Sequence, residues 1–239
     1  MITPDWPAPP GVKACFTLRD DQLNVGLQTD ETPAVAQANR HRLAQRLGVV
    51  PCWLNQVHGA RVVEAISNPT SAPEVDAEAD ASITTTPGVA CVVMAADCLP
   101  VLFASTCGRV VGAAHAGWRG LAAGVLQNTV AAMRRHVAHA DLVAWLGPAI
   151  GPTAFEVGAE VRTAMLSCLP QADAAFVPIA APEKYRANLF ALARQALAQV
   201  GVTQVYGGSE CTYSNAQRYY SFRRDKVTGR HAALVWIAP

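Results

Sequence analysis

Two apolar stretches that share one short turn constrain this chain most. Residues 94–103 (MAADCLPVLF) and 110–120 (VVGAAHAGWRG) flank the segment Thr106-Cys107-Gly108-Arg109. The pattern predicts a β-hairpin with strands at 102–105 and 110–115. A turn centred near Thr106-Cys107 sets Cys98 opposite His115. Opposed side chains of a strand pair lie roughly 5 Å apart at Cβ. That separation suits two ligands of one metal ion, or a thiol and an imidazole in a catalytic pair. Pro100 is a source of distortion in the first strand, so a register one or two residues away stays open.

The chain has 239 residues, enough for a substantial core. No linker-like stretch divides it, so one domain spanning 1–239 is expected. It is 51% hydrophobic and 15% charged, with a net charge of +1. That balance gives no electrostatic case for nucleic acid or for an anionic membrane as partner. The longest apolar run, 89–103, is broken by Asp97 and Pro100 and is too short to cross a bilayer. The start MITPDWPAPPG has neither a basic segment nor an apolar core, so a cytoplasmic location is expected. Seven scattered cysteines without CxxC pairs fit that compartment as reduced thiols. Cys15, Cys52, Cys91 and Cys168 sit in apolar contexts and read as core, and Cys107 reads as exposed. Cys98 and Cys211 sit among polar residues.

Strands and helices alternate. The clearest helix is Pro33–Leu47, with Thr32 as cap, Pro33 at the first position and Gly48 as stop. Ala36, Leu43 and Leu47 share one face, and Arg40 falls on it too, as a snorkelling edge residue or a site residue. Strands are predicted at 47–54 and 60–66, flanking Gln56-Val57-His58-Gly59, which places His58 at a tight turn. Residues 90–95 read as a buried strand, and 69–79 as a long loop. Further helices are predicted at 121–137, from Gly158, and at 188–200 with Gly201 as stop. The last strands are predicted near Val205 and at 232–237. Hairpins imply antiparallel pairing, so the sheets should be mixed and the fold a mixed α/β (α+β) architecture of layered sheets flanked by helices.

Several sites are excluded by motif: there is no GxGxxG, Walker A lysine, GxSxG or HExxH. His136 and His139 lie beside Arg134 and Arg135 and read as a basic solvated helix end. His41 and His231 read as structural or exposed. His58, Cys98 and His115 remain. They make a three-ligand zinc set with a fourth position open. Their spacings, forty and seventeen residues, are not those of a zinc finger. On spacing alone, a buried thiol and two satisfied histidines is the better reading.

The strings NQVHG, AADCLPVLF, GAAHAGWRG, LGPAIGP and CTY…YYSFRRDKVTGR resemble, in this order, those of the bacterial YfiH/YlmD family. The resemblance runs from about Leu23 to the C-terminus. That family carries the label "multicopper polyphenol oxidase, laccase-like", and a related domain occurs in the mammalian protein FAMIN. The resemblance puts the family's metal set, which is also its catalytic set, on His58, Cys98 and His115. It implies a fold similar to that of a toxin deamidase. It also implies purine nucleoside phosphorylase activity on adenosine, inosine, guanosine and methylthioadenosine, with adenosine deaminase activity at the same site. Deamination fits activation of water by zinc. Phosphorolysis needs a cationic clamp, for which Arg40, Arg119 and Arg223 are candidates. Arg119 would sit just ahead of a helix N-terminus able to receive phosphate. Gln56 and Asp80 are candidates for contact with base or ribose, with hydrogen bonding in turns and loops as the competing role. The chain is expected to act as a monomer or weak homodimer.

Two departures from the family stand out. The segment FTLRDDQLNVG is shorter than the glycine- and serine-rich hairpin of relatives, which bears on contacts covering the substrate. Asn188 stands where relatives often carry Asp, and still serves as a helix cap. Copper is the alternative ion, since blue-copper sites also use two His and one Cys. A full multicopper oxidase needs paired HxH histidines, and the six histidines here include no such pair. The third reading is a hydrolase with Cys98 as nucleophile and His115 as base, acting on an amide of a cell-wall precursor.

Overall fold

The apolar run at 89–103 folds as two strands because Asp97 reverses the chain between them with a positive φ of 93°. The computed structural model describes residues 1–29, 32–66, 78–138 and 140–239. Most of the expected 69–79 loop and His139 therefore lie outside the described residues. Strands β1 (Val12–Phe16), β2 (Val50–Cys52), β5 (Val89–Ala95) and β13 (His231–Ile237) form a four-stranded sheet in the order β1-β13-β5-β2. Strands β3 (Val62–Glu64), β4 (Ala81–Thr84), β6 (Leu99–Ser105), β7 (Val111–Ala116), β8 (Leu142–Leu146) and β12 (Gln204–Gly207) form a six-stranded sheet in the order β12-β8-β6-β7-β4-β3. Short strands β9 (Glu156–Gly158), β10 (Phe176–Pro178) and β11 (Lys184–Ala187) form a third sheet. Both large sheets mix parallel and antiparallel pairs, as expected.

The two large sheets pack face to face. Cys91, Val93, Ala233 and Val235 of one meet Leu102, Ala113, Val143 and Trp145 of the other. Helix α1 (Pro33–Leu47) covers the outer face of the smaller sheet, with Leu43 against Val92 and Leu234. Helices α2 (Trp118–Ala122), α3 (Val125–Arg134), α4 (Ala159–Cys168) and α5 (Leu189–Gln199) contribute to the core on the outer face of the larger one. A last turn, α6 (Phe222–Asp225), precedes β13. The layers run helix, sheet, sheet, helices, a mixed α+β fold. Every residue of β6 and β7 is buried, as expected of strands covered on both faces.

Several expectations shift. The hairpin pairs Pro100, not Cys98, with His115. The cause is Gly108, whose φ of 71° and amide bond to the Ser105 carbonyl (2.8 Å) centre the turn one residue later. A two-residue slip keeps every side chain on its expected face. The helix expected at 121–137 is two helices, because Gly124 adopts φ 84° between α2 and α3. Helix α1 has its expected bounds and its Gly48 stop, but Thr32 caps by position without a side-chain bond. Asn188 does cap α5, accepting from the Ala191 amide at 3.1 Å. The strands expected at 47–54 and 60–66 shorten to β2 and β3, since 47 completes α1.

Candidate metal centre

Three chain segments converge at one end of the sheets: the turn from β5 into β6, the turn from β7 into α2, and the loop before β3. Cys98 immediately precedes β6, His115 lies near the end of β7, and His58 sits in the loop at φ 61°. One potential ligand atom from each lies within 4.8 Å of the others. The two imidazoles meet edge to face with centroids 4.8 Å apart. His58 is exposed, Cys98 half-buried and His115 buried. The set is thus sealed from below and open on one side. Among the described residues it is the one grouping of three such side chains able to hold an ion.

Asp80 organises two of the three. Its carboxylate accepts the backbone amides of Val57 (3.1 Å), His58 (2.9 Å) and Gly59 (2.7 Å). The same carboxylate lies 2.8 Å from Nδ1 of His115, and the Asp80 carbonyl accepts the His115 amide at 2.7 Å. Burial opposes ionisation of Asp80, but the His115 bond and the loop amides outweigh it and hold its pKa below the usual range. With Nδ1 engaged, His115 offers Nε2 as its ligand atom. Asp80, a candidate either for contact with base or ribose or for hydrogen bonding in a loop, lies fully buried beneath the set and bonds the His58 loop.

The donor chemistry fits a metal ion. Burial disfavours a Cys98 thiolate, yet the charges and hydrogen bonds of His115 and then His58 pull its pKa down to about 6. His115 is disfavoured as a cation by burial but raised to about 9 by Cys98 and Asp80. A Cβ on Gly117 would lie 2.9 Å from Cys98 Sγ and 3.4 Å from His58 Cδ2, so glycine keeps this space open. A soft thiolate with two imidazoles suits zinc or copper.

The set opens into a cavity of about 720 Å³. Arg40 and Gln56, both candidates for contact with substrate, line it. The Gln56 amide is engaged on both sides by the backbone of Met94 (2.7 and 2.9 Å), so it braces the wall. Arg119 and Arg223 are not among the lining residues. Arg119 is exposed and stacks on Trp118, its Cζ 4.3 Å from the ring centroid. Arg223 donates to the Glu156 carbonyl at 2.9 Å. The helix expected to follow Arg119 starts at Trp118, three residues earlier, so Arg119 lies inside its first turn rather than ahead of it.

Sequence reasoning missed Trp53, Met94, Phe222 and Arg230, all of which line the cavity. Phe222 and Arg230 belong to the quoted string YYSFRRDKVTGR, and Trp53 stands three residues before Gln56. Gly26, at the end of the shortened segment, lines the cavity together with Leu27 and Gln28 just beyond it. Asn24 fastens that edge by accepting the amides of Gly26 (3.0 Å) and Arg230 (2.8 Å).

Fold and site together define a class. The chain belongs to the family described as multi-copper polyphenol oxidoreductase laccase, which matches residues 13–238. Within it, the chain is 50% identical to a purine nucleoside phosphorylase of Pseudomonas aeruginosa, over 99% of this chain and 98% of that protein. It is 47% identical to the purine nucleoside phosphorylase YfiH of Escherichia coli, over the same shares. Among solved structures, a Neisseria meningitidis protein superposes with a TM-score of 0.91 at 44% identity, covering 100% of this chain and 99% of that one. YlmD of Geobacillus stearothermophilus does so with 0.88 at 28% identity, covering 98% and 94%. Among the described residues no helix is long and apolar enough to cross a membrane.

Proposed function

We propose that this chain is a zinc-dependent purine nucleoside phosphorylase. It cleaves adenosine, inosine, guanosine and methylthioadenosine with phosphate to give the free base and the sugar 1-phosphate, and it deaminates adenosine at the same site. The observation that carries the reading is the three-donor set at the floor of a cavity that also holds arginines and aromatic rings. The substrate class comes from the names of the near-full-length relatives.

His58, Cys98 and His115 would hold the ion, Cys98 as thiolate. Bound zinc would supply Lewis-acid polarisation to a ligand in the open position. Asp80 keeps the His115 proton on Nδ1 and fixes the His58 loop through three amides. Arg40, which donates Nε to the Val25 carbonyl (2.8 Å), and Arg230, which donates to the Thr228 and Gly229 carbonyls, bring two positive charges to the cavity. Phosphate would bind that pair in preference to Arg119 or Arg223, which lie outside the cavity lining.

The test is chromatography of each nucleoside incubated with and without phosphate. Free base should appear only with phosphate, and adenosine alone should yield inosine. Equal base release without phosphate would make the enzyme a hydrolase, and unchanged substrates would reject the reading.

A second reading has its own support. Asp80, His115 and Cys98 form a chain of carboxylate, imidazole and thiol, the order of a cysteine hydrolase, and Cys98 is acidified. Its substrate would be an amide of a cell-wall precursor. The dyad needs no metal, whereas the phosphorylase reading does, so zinc content separates them. Copper in the His58–Cys98–His115 set is the ion of the polyphenol oxidase alternative, and metal analysis separates that as well.

A further inference from the structure

Phe222 is a large apolar side chain that is 50% exposed, and it lines the cavity above the His58–Cys98–His115 set. The cavity's other large ring, Trp53, has its face taken by Arg40, whose Cζ lies 4.3 Å from the centroid. Arg230 lies over one face of the Phe222 ring, its Cζ 5.7 Å from the centroid, and half of the side chain stays exposed beside it. Phe222 is therefore the aromatic surface best placed to take a planar ligand.

The ring is also held at a fixed reach from the metal set. Asp97 directly precedes Cys98. Its carboxylate accepts the Arg223 amide (2.6 Å) and the Ser221 hydroxyl (3.1 Å), the two residues flanking Phe222. The other oxygen accepts the Thr212 hydroxyl (2.6 Å), and the Asp97 carbonyl accepts the Ile150 amide (2.9 Å). Asp97 is buried and holds φ at 93°, a conformation that costs a non-glycine residue and persists only where its surroundings enforce it. Ser221 further caps the turn by accepting the Arg224 amide.

The geometry points to Phe222 as the residue that stacks on the purine ring, and to Asp97 as the positioning residue that sets its distance from Cys98. A rigid exposed ring loses little freedom when a heterocycle covers it. The inference rests on the nucleoside reading of this site.

The test is the KM for adenosine and for phosphate, together with equilibrium binding of adenosine to the zinc-loaded protein by calorimetry. Phe222→Ala should raise the adenosine KM and Kd about tenfold, with a smaller change in the phosphate KM through Arg230, and Phe222→Trp should restore the adenosine constants. Asp97→Asn should shift the same constants in the same direction with zinc content intact. Added to Phe222→Ala, it should cause no further loss. If Phe222→Ala leaves the adenosine constants unchanged, or the two variants add fully, the inference is overturned. Should the wild type bind adenosine without cleaving it, phosphorolysis fails while loss of binding in Phe222→Ala would still uphold the stacking. Absence of adenosine binding overturns both.

Discussion

The Asp80 carboxylate lies 2.8 Å from Nδ1 of His115 and at the same time accepts three successive amides of the loop that carries His58. One buried side chain thus aligns two of the three proposed ligands. Asp80→Asn keeps the shape but turns an NH2 group toward backbone donors. The zinc affinity should fall roughly 10- to 100-fold, the usual cost of losing such an outer partner. Competition with a chromophoric chelator measures it. An unchanged affinity would mean that the loop and His115 hold their positions without Asp80.

Gly117 separates crowding of the site from loss of the fold. Its φ of −65° is open to alanine, and alanine at an allowed position ordinarily stabilises a chain slightly. The added Cβ would meet Cys98 Sγ at 2.9 Å. Gly117→Ala should remain folded by circular dichroism and yet bind zinc substoichiometrically. A full zinc complement in this variant would show that the set has room the distances do not indicate.

His231 makes stability depend on pH. It is buried between Phe16 and Tyr220, with ring centroids at 4.9 and 4.8 Å, and its Nε2 accepts the Tyr220 amide at 2.8 Å. Burial drives its pKa down to about 3, with Arg19 and Arg230 adding and Asp21 opposing. The unfolded chain, with a pKa near 6.5, binds the proton more readily, so stability present above 6.5 is lost as pH falls toward 3. Between pH 7 and pH 5 the loss from this residue should be about 2 kcal/mol. Denaturant titration at both pH values checks it, with His231→Phe expected to be less stable overall and less dependent on pH.

The arginines divide by position. Arg119→Ala should leave the phosphate KM within about twofold, since the side chain is exposed and stacked on Trp118 outside the cavity lining. Arg40→Ala should raise it tenfold or more, the scale of a charged hydrogen bond. The reverse ranking, read from phosphate-dependence curves, would return the clamp to Arg119.

How much of this was legible in the sequence depends on what kind of signal each feature leaves. The α1 bounds followed from Pro33 and Gly48, which act through backbone geometry and need no partner. The hairpin was legible in kind but its register slipped by two, because the turn was centred on Thr106-Cys107 while Gly108 is the residue that takes positive φ. The side chains kept their faces, so Cys98 and His115 still met. Asp80 looked like a loop residue able to reach substrate. Its burial depends on the His58 loop folding over it, a contact across more than twenty residues that leaves no periodic trace. Phe222 and Arg230 were in a quoted string, but only the α6 turn and its tie to Asp97 bring them over the cavity.

The metal content of the His58–Cys98–His115 set is the most direct test of the site. Protein purified without chelator or nickel should carry one zinc per chain by mass spectrometry of the ion, and Cys98→Ala should carry almost none. Stoichiometric zinc retained by Cys98→Ala would contradict the ligand assignment, and a metal-free, active wild type would transfer the site to the hydrolase reading.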